Sequence, residues 1–235
     1  MDRIKFDKKF NMVSLTTICF DIFVLESLLP MCTGITTVIA NSEEQTTPQN
    51  LNALCLKNNI KILQTTPSKL MLLISNDNSL EYIKNLEYIL VGGEAVPSNL
   101  VKKLKKLSNA KIFNMYGPTE TTVWSTIKDL TQTSLITIGT PIANTYTYIL
   151  DDNKQVLPIG VNGNLFIGGD GVGNGYLNRP ELTAEKFIDN PFVPGTKMYD
   201  TGDIARLMPN GDIIYSGRSD FQVKIHGLRI ELGEI

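Results

Sequence analysis

The stretch Asn114 to Trp124, NMYGPTETTVW, sets an aromatic hydroxyl, a rigid turn, three threonines and one carboxylate between two apolar segments. Tyr116 closes the hydrophobic lead-in and Gly117-Pro118 turn the chain. Thr119, Glu120, Thr121 and Thr122 follow, before Val123 and Trp124, the one tryptophan present. Farther on, Asp203 follows Thr-Gly in a turn, where a carboxylate can bind two adjacent hydroxyls such as those of ribose. Arg218 follows the next apolar segment and suits bidentate donation to phosphate or carboxylate. Either charge alone reads as a surface ion pair. Together with the tyrosine–threonine–glutamate loop they suggest a nucleotide site.

The elements that must position these residues follow from periodicity. Residues 48–60 predict a helix, with Pro48 at its first position and Leu51, Leu54 and Cys55 on one face. IKILQ (60–64) predicts a buried strand, PSKLMLLI (67–74) a helix and LEYILV (86–91) a strand. PSNLVKKLKKL (97–107) predicts an amphipathic helix whose lysines form a solvated face rather than a nucleic-acid patch. KIFNMY (111–116) predicts the next strand. This alternation implies α/β architecture, a mostly parallel sheet flanked by helices. Ligands of such sheets gather beyond the carboxyl ends of the strands. The loops GGEA (92–95) and GPTETT (117–122) both lie there and should be neighbours.

After residue 130 the segments shorten and become β-branched or aromatic, and PNGD (209–212) carries the Asn-Gly pair of a tight hairpin. A smaller, β-barrel-like subdomain is expected. The division is 1–130 for the α/β part, 131–217 for the β-rich part and 218–235 for a hinge and the start of a lid. GGDGVGNG (168–175) has the glycines of a dinucleotide fingerprint without its strand-to-helix context, so a structural turn is the better reading.

Composition narrows the function. The 235 residues are 42% hydrophobic, enough for a sizeable core, and the net charge of −2 recruits neither nucleic acid nor an acidic membrane. Three cysteines without metal or disulfide spacing suit a reducing cytoplasm. A single histidine, His226, excludes chemistry that needs several imidazoles. Asp21 and Glu26 interrupt the apolar stretch from Met12 to Ala40, leaving no uninterrupted run of about 18 residues, so no membrane span is expected.

Five segments in order, FDIFVLE, NMYGPTETT, GNLFIGGDGVGNGYLNRPELTAEKFI, YDTGDIARLMPNGDIIYSGRSD and FQVKIHGLRIELGEI, resemble the adenylation domains of nonribosomal peptide synthetases. These belong to the adenylate-forming superfamily, with the acyl-CoA synthetases and luciferases. The resemblance runs from about residue 12 to the end, and the ending VKIHGLRIELGEI favours the peptide-synthetase branch. It implies joining a carboxylic acid to ATP as an acyl-adenylate, then transfer to a phosphopantetheine thiol on a carrier protein. By position, Tyr116 would stack on adenine and Asn114 would hydrogen-bond its amino edge. Thr119 would contact the α-phosphate and Glu120 would help hold Mg²⁺, these two being the catalytic pair. Asp203 would clasp the ribose, with Arg218 nearby and Tyr215 lining the pocket. The implied partners are an amino acid, a peptidyl carrier domain and a condensation domain of the same assembly line.

The resemblance also implies a substrate. Asp21 matches the aspartate that pairs with an α-amino group, and a carboxylate in an apolar segment needs such a partner. The other pocket positions are Ile22, Leu25, Gln64, Leu90, Gly92, Met115, Val123 and Trp124. In order they spell D-I-L-Q-L-G-M-V-W, a pattern resembling that of glycine-activating domains. Steric overlap can reject large side chains strongly, whereas one methylene of attraction is worth only about 1–3 kcal/mol. Glycine would therefore be selected by exclusion.

The family pattern also has a Ser/Thr-Gly-Thr-Thr-Gly-type phosphate loop ending in lysine, and a lid lysine for the substrate carboxylate. The sequence contains neither, and Asp220 matches the hinge about which the lid swings. Asn164, Asn174, Asp200 and His226 stand where the family often has Glu, Arg, Arg and Arg. The 235-residue chain alone is expected to show little or no adenylation activity. An acyl-CoA or aryl-acid ligase piece, and a non-catalytic remnant that binds nucleotide weakly, are the rival readings.

Overall fold

A computed structural model describes residues 4–75, 80–219, 223–225 and 228–230. In chain order the elements begin β1 (Asn11–Ser14), α1 (Phe23–Thr33), β2 (Thr36–Ile39), α2 (Ser42–Thr46), α3 (Pro48–Lys57) and β3 (Ile60–Thr65). They continue α4 (Pro67–Leu73), α5 (Glu81–Asn85), β4 (Tyr88–Gly92), α6 (Ser98–Leu107), β5 (Lys111–Tyr116), β6 (Thr126–Asp129) and β7 (Thr140–Pro141). Next come β8 (Thr145–Leu150), β9 (Gly163–Gly169), α7 (Pro180–Lys186), β10 (Phe187–Asp189), β11 (Lys197–Leu207) and β12 (Ile213–Arg218). A two-stranded pair, β13 (Val223–Ile225) and β14 (Leu228–Ile230), ends the described chain.

Among the described residues, one sheet has seven strands in the order β2-β1-β3-β4-β5-β6-β7. The first five are parallel to their neighbours, and β6 and β7 return antiparallel. Strands β3, β4 and β5 are nearly all buried because helices cover both faces, which is why they read as continuous apolar runs. The two-residue strand period then sorts side chains between two cores. Leu63, Ile89 and Ile112 join the cluster beneath α3 and α6, whereas Ile62, Leu90 and Phe113 join the cluster beneath α1. The lysines of α6 face outward, and its Leu100, Val101 and Leu104 are buried. Lys105 and Lys106 in its last turn complement the negative end of the helix dipole.

The second sheet is smaller, curled and antiparallel, in the order β10-β11-β9-β8, with β12 also pairing β11. The expected fold class is therefore the one observed, and the Asn210-Gly211 turn joins β11 to β12 as the hairpin expectation required. A bridge between Gly139 and Ile213 links the two sheets. Gly139 has φ 79° and lies so close to the Ile127 carbonyl that a Cβ could not fit. The apolar stretch from Met12 to Ala40 resolves into β1, α1 and β2, and no described helix is long and apolar enough to cross a membrane. The short strands β1 and β2, the latter at the sheet edge, had no sequence expectation. Asp220 and His226 lie outside the described residues.

Candidate nucleotide and amino-acid site

The register Gly92↔Met115 places the ends of β4 and β5 side by side. The loops that leave them are consequently neighbours. The polar loop after β5 forms one turn of 3₁₀ helix, Thr119–Thr121. Thr122 and Val123 then take positive φ values of 64° and 70°. Those two left-handed residues reverse the chain, so that Trp124 turns back under the sheet while β6 pairs with β5 through Tyr116↔Thr126. The reversal is fastened by the Thr121–Ser125 hydroxyl pair at 2.6 Å.

A cavity of about 690 Å³ opens beyond these strand ends. Its walls come from Gly93–Val96 after β4, Asn114–Gly117 at the end of β5 and Ile136–Ile138 ahead of β7, and from Asp203, Tyr215 and Arg218 of the second sheet. Tyr116 donates its hydroxyl to Asp203 Oδ2, and Arg218 donates to Asp203 Oδ1 at 2.8 Å. One carboxylate is thus gripped from both sides. Burial, and then the facing Asp203 charge, push the Tyr116 phenol well above its ordinary value. Asn114 is buried and gives its amide to the Thr137 carbonyl at 2.7 Å.

Thr119 is exposed on the loop, and Glu120 is half-buried beside it. Glu120 Oε1 accepts the Tyr176 hydroxyl at 2.6 Å, and its backbone carbonyl accepts Gly173 N at 2.8 Å. The glycine-rich run thereby lies against the polar loop, and a Cβ on Gly171 would sit 2.8 Å from the Thr121 carbonyl oxygen. Its glycines serve close approach of backbone. No cluster of three or more metal-ligating side chains occurs among the described residues. One carboxylate suits Mg²⁺ that is otherwise held by water and substrate phosphates, the usual way that ion binds.

The positions matched to the amino acid converge on the other side of the sheet. Ile22, Leu25, Leu90, Met115 and Trp124 belong to one buried cluster, against which Val123 packs. Gln64 Nε2 donates to the Ile22 carbonyl at 2.8 Å, and Gln64 Oε1 accepts Trp124 Nε1 at 3.2 Å. A Cβ on Gly92 would lie 2.7 Å from Trp124 Cζ3 and would overlap Cη2 and the Met115 carbonyl. Asp21 sits at the margin, half-buried, and its carboxylate makes no hydrogen bond or ion pair to a described residue. Asp21, Thr119, Glu120, Gln64 and Trp124 are not part of the 690 Å³ cavity wall.

Four residues at the site escaped sequence reasoning. Tyr176 and Thr137 carry no signal of their own. Glu94 lines the cavity, where its Oε2 accepts Ser68 N at 3.1 Å and Ser68 Oγ at 2.5 Å while Oε1 is buried. Glu26 is fully buried and accepts five hydrogen bonds. It did carry a signal, because the argument that an acid in an apolar run needs partners applies to Glu26 as it does to Asp21. Beside it, burial lowers the Lys69 ammonium, partly offset by the Glu26 charge, and Lys69 Nζ donates to the Leu15 carbonyl at 2.9 Å.

The fold is that of adenylation domains, and the sequence comparisons agree. Residues 1–177 match the family described as AMP-binding enzyme. The chain is 44% identical over 228 residues to a dimodular nonribosomal peptide synthase of Bacillus subtilis (strain 168), covering 96% of this chain and 9% of that protein. It is also 44% identical over 218 residues to gramicidin S synthase 2 of Brevibacillus brevis, covering 92% of this chain and 5% of the relative. Among solved structures, a four-domain nonribosomal peptide synthetase bound to AMP and glycine matches with TM-score 0.83 and 39% identity. That match covers 99% of this chain and 18% of the other. A synthetase containing adenylation and PCP domains, bound to a vinylsulfonamide inhibitor, matches with TM-score 0.89 and 26% identity, covering 98% and 41%. The chain belongs to the AMP-binding enzyme family, as an adenylation-domain segment of the nonribosomal peptide synthetase type.

Proposed function

We propose that this chain carries the amino-acid and adenine half of a site that activates an amino acid as its aminoacyl-adenylate for loading onto a carrier-domain phosphopantetheine. The substrate carboxylate oxygen attacks the α-phosphorus of ATP, the new O–P bond forms, and pyrophosphate leaves. The observation that carries this reading is the convergence of two sets of residues on the ends of β4 and β5. Tyr116, Asp203 and Arg218 border the cavity on one side, and the Trp124 cluster lies on the other. Tyr116 and Asn114 hold adenine, Asp203 the ribose, with Tyr215 and Arg218 lining the same wall. Thr119 meets the α-phosphate. Glu120 is the carboxylate that would hold Mg²⁺, which offsets phosphate charge as the carboxylate attacks.

The substrate we assign is glycine. Asp21 takes the α-amino group, while Trp124 and Met115 crowd Gly92 so closely that a side chain has no room to extend there. A related synthetase structure bound to AMP and glycine supports this choice. The domain division at residues 130 and 217, the hinge at Asp220, the carrier and condensation partners and a cytoplasmic setting belong to the same proposal.

Triphosphate binding and the charge that closes on the carboxylate fall to the phosphate-loop and lid lysines, which this sequence does not contain. Preorganised electrostatics of that kind usually supply the largest share of rate enhancement. The 235-residue chain by itself should therefore support little glycine-dependent ATP–pyrophosphate exchange. Calorimetry of the chain with a non-hydrolysable glycyl-adenylate analogue tests the site directly. Saturable binding that adenosine competes for is expected, and no binding would sink the assignment.

A further inference from the structure

We propose that Glu26 is a positioning residue for amino-acid selection, acting through Gln64 on the indole of Trp124. The inference rests on the amino-acid reading of the Trp124 pocket. Glu26 Oε2 accepts Ser14 Oγ at 2.8 Å, Leu15 N at 3.0 Å and Thr16 N at 3.0 Å. Its Oε1 accepts Thr16 Oγ1 at 2.6 Å and Gln64 Nε2 at 3.1 Å. Every partner is a donor, which suits an ionised carboxylate, an acceptor with no hydrogen to give.

That one-sidedness fixes the neighbouring amide. Gln64 must turn its NH₂ toward Glu26 and toward the Ile22 carbonyl, 2.8 Å away, where both hydrogens find acceptors. Its oxygen is thereby forced toward the Trp124 Nε1–H at 3.2 Å. The indole is held by this bond at one edge, while its Cη2 and Cζ3 carbons rest over Gly92 at the other. Glu26, α1, β3 and the loop after β5 are joined through one amide. A buried network of this sort specifies a single arrangement as long as every member is satisfied.

Glu26→Gln is isosteric but breaks the logic. The new amide oxygen must stay with the three donors from Ser14, Leu15 and Thr16. Its NH₂ then faces the Gln64 NH₂. Gln64 can relieve that conflict only by flipping, which aims its NH₂ at the Trp124 N–H and its oxygen at the Ile22 carbonyl. On that flip Trp124 loses its acceptor.

The test uses the full chain and two readouts. Trp124 is the one tryptophan, so its emission and acrylamide quenching report the indole alone. In Glu26→Gln the emission should shift to the red and quenching should rise, with far-ultraviolet circular dichroism unchanged. Affinities for glycyl- and alanyl-adenylate analogues are then compared by calorimetry, and the preference for glycyl should fall about tenfold, the scale of one-methylene discrimination. In a Trp124→Phe background, with no N–H to lose, Glu26→Gln should leave the preference unchanged, as a double-mutant cycle requires of an effect transmitted through Trp124. An equal loss of preference in both backgrounds, or unaltered emission from a folded Glu26→Gln protein, overturns the proposal. If Glu26→Gln fails to fold, Gln64→Met removes the same link while leaving four of the Glu26 bonds, and the same outcomes apply. If neither analogue binds the parent chain, the adenylation reading fails, whereas the emission of Trp124 still decides whether Glu26 positions the indole.

Discussion

Tyr116 and Asp203, 87 positions apart, share a hydrogen bond that fastens the end of a parallel strand in one sheet to the long strand of the other. The same carboxylate holds Arg218, so three residues of the cavity wall are mutually oriented. Tyr116→Phe keeps the ring that would stack on adenine and removes the tie. Hydrogen bonds to charged groups contribute about 1.5–3 kcal/mol, and Arg218 remains to compensate part of that loss. A drop of about 1 kcal/mol in unfolding free energy is expected from urea titration, with adenylate-analogue affinity weakened about tenfold or less. Because its phenol is held neutral well above the ordinary tyrosine range, the variant should also lose one late step from the alkaline tyrosinate titration.

Gly92 is the point where the strand end, the Met115 carbonyl and the Trp124 ring meet. Gly92→Ala forces the ring or the strand to move, and overpacking of this kind costs about 1–3 kcal/mol. The variant should unfold at lower urea concentration and show altered Trp124 emission. A stability equal to that of the parent would mean that the ring has free space to retreat into.

The main frame of this fold was legible because strand and helix periods differ. Ile62 and Leu63, or Ile89 and Leu90, point to opposite cores, and the helices between them repeat their leucines every three or four residues. The short strands β1 and β2 were not legible, since four residues give too few alternations to count. Asp203 and Arg218 were singled out by their places after Thr-Gly and after an apolar segment, yet Asp203 lies within β11 rather than in a turn, and nothing in their spacing showed that they face each other across a hairpin as the pair Asp203↔Arg218. Glu26 was visible as an acid in an apolar run, but four of its five donors come from residues 14–16, in and beyond a strand that was itself unseen. The glycines at 171 and 173 belong to a run that reads as a structural turn, and only tertiary packing shows that they admit the backbone of Thr121 and Glu120.

Trp124→Ser empties the space over Gly92 while leaving the strand geometry. Removing a large buried aromatic typically costs about 3–5 kcal/mol, so a less stable protein is expected. A methyl or hydroxymethyl side chain would then fit beside Gly92. In a complete adenylation domain carrying these pocket residues, alanine- or serine-dependent ATP–pyrophosphate exchange should rise at least tenfold relative to glycine. Continued acceptance of glycine alone would show that the pocket is drawn in the wrong place.

Cys55 gives the chain an alkaline weakness with a definite sign. Burial, and secondarily Glu44, raise its thiol from 9.0 to about 12. In the unfolded chain the thiol ionises near its ordinary value, while the fold keeps it neutral. A folded-state value raised above the unfolded one contributes stability that is fully present below pH 9.0 and disappears as pH climbs toward about 12. At full slope one such group changes unfolding free energy by roughly 1.4 kcal/mol per pH unit. Tyr82, raised by burial and by Cys55, pulls in the same direction, starting near pH 10.0. Lys69 opposes both, because its lowered value makes the fold bind its proton less tightly than the unfolded chain up to pH 10.5. The parent curve therefore mixes signs, and the informative quantity is the difference from Cys55→Ala. Urea titrations at successive pH values should show the two proteins running parallel below pH 9 and converging above it, as the parent alone loses the thiol contribution.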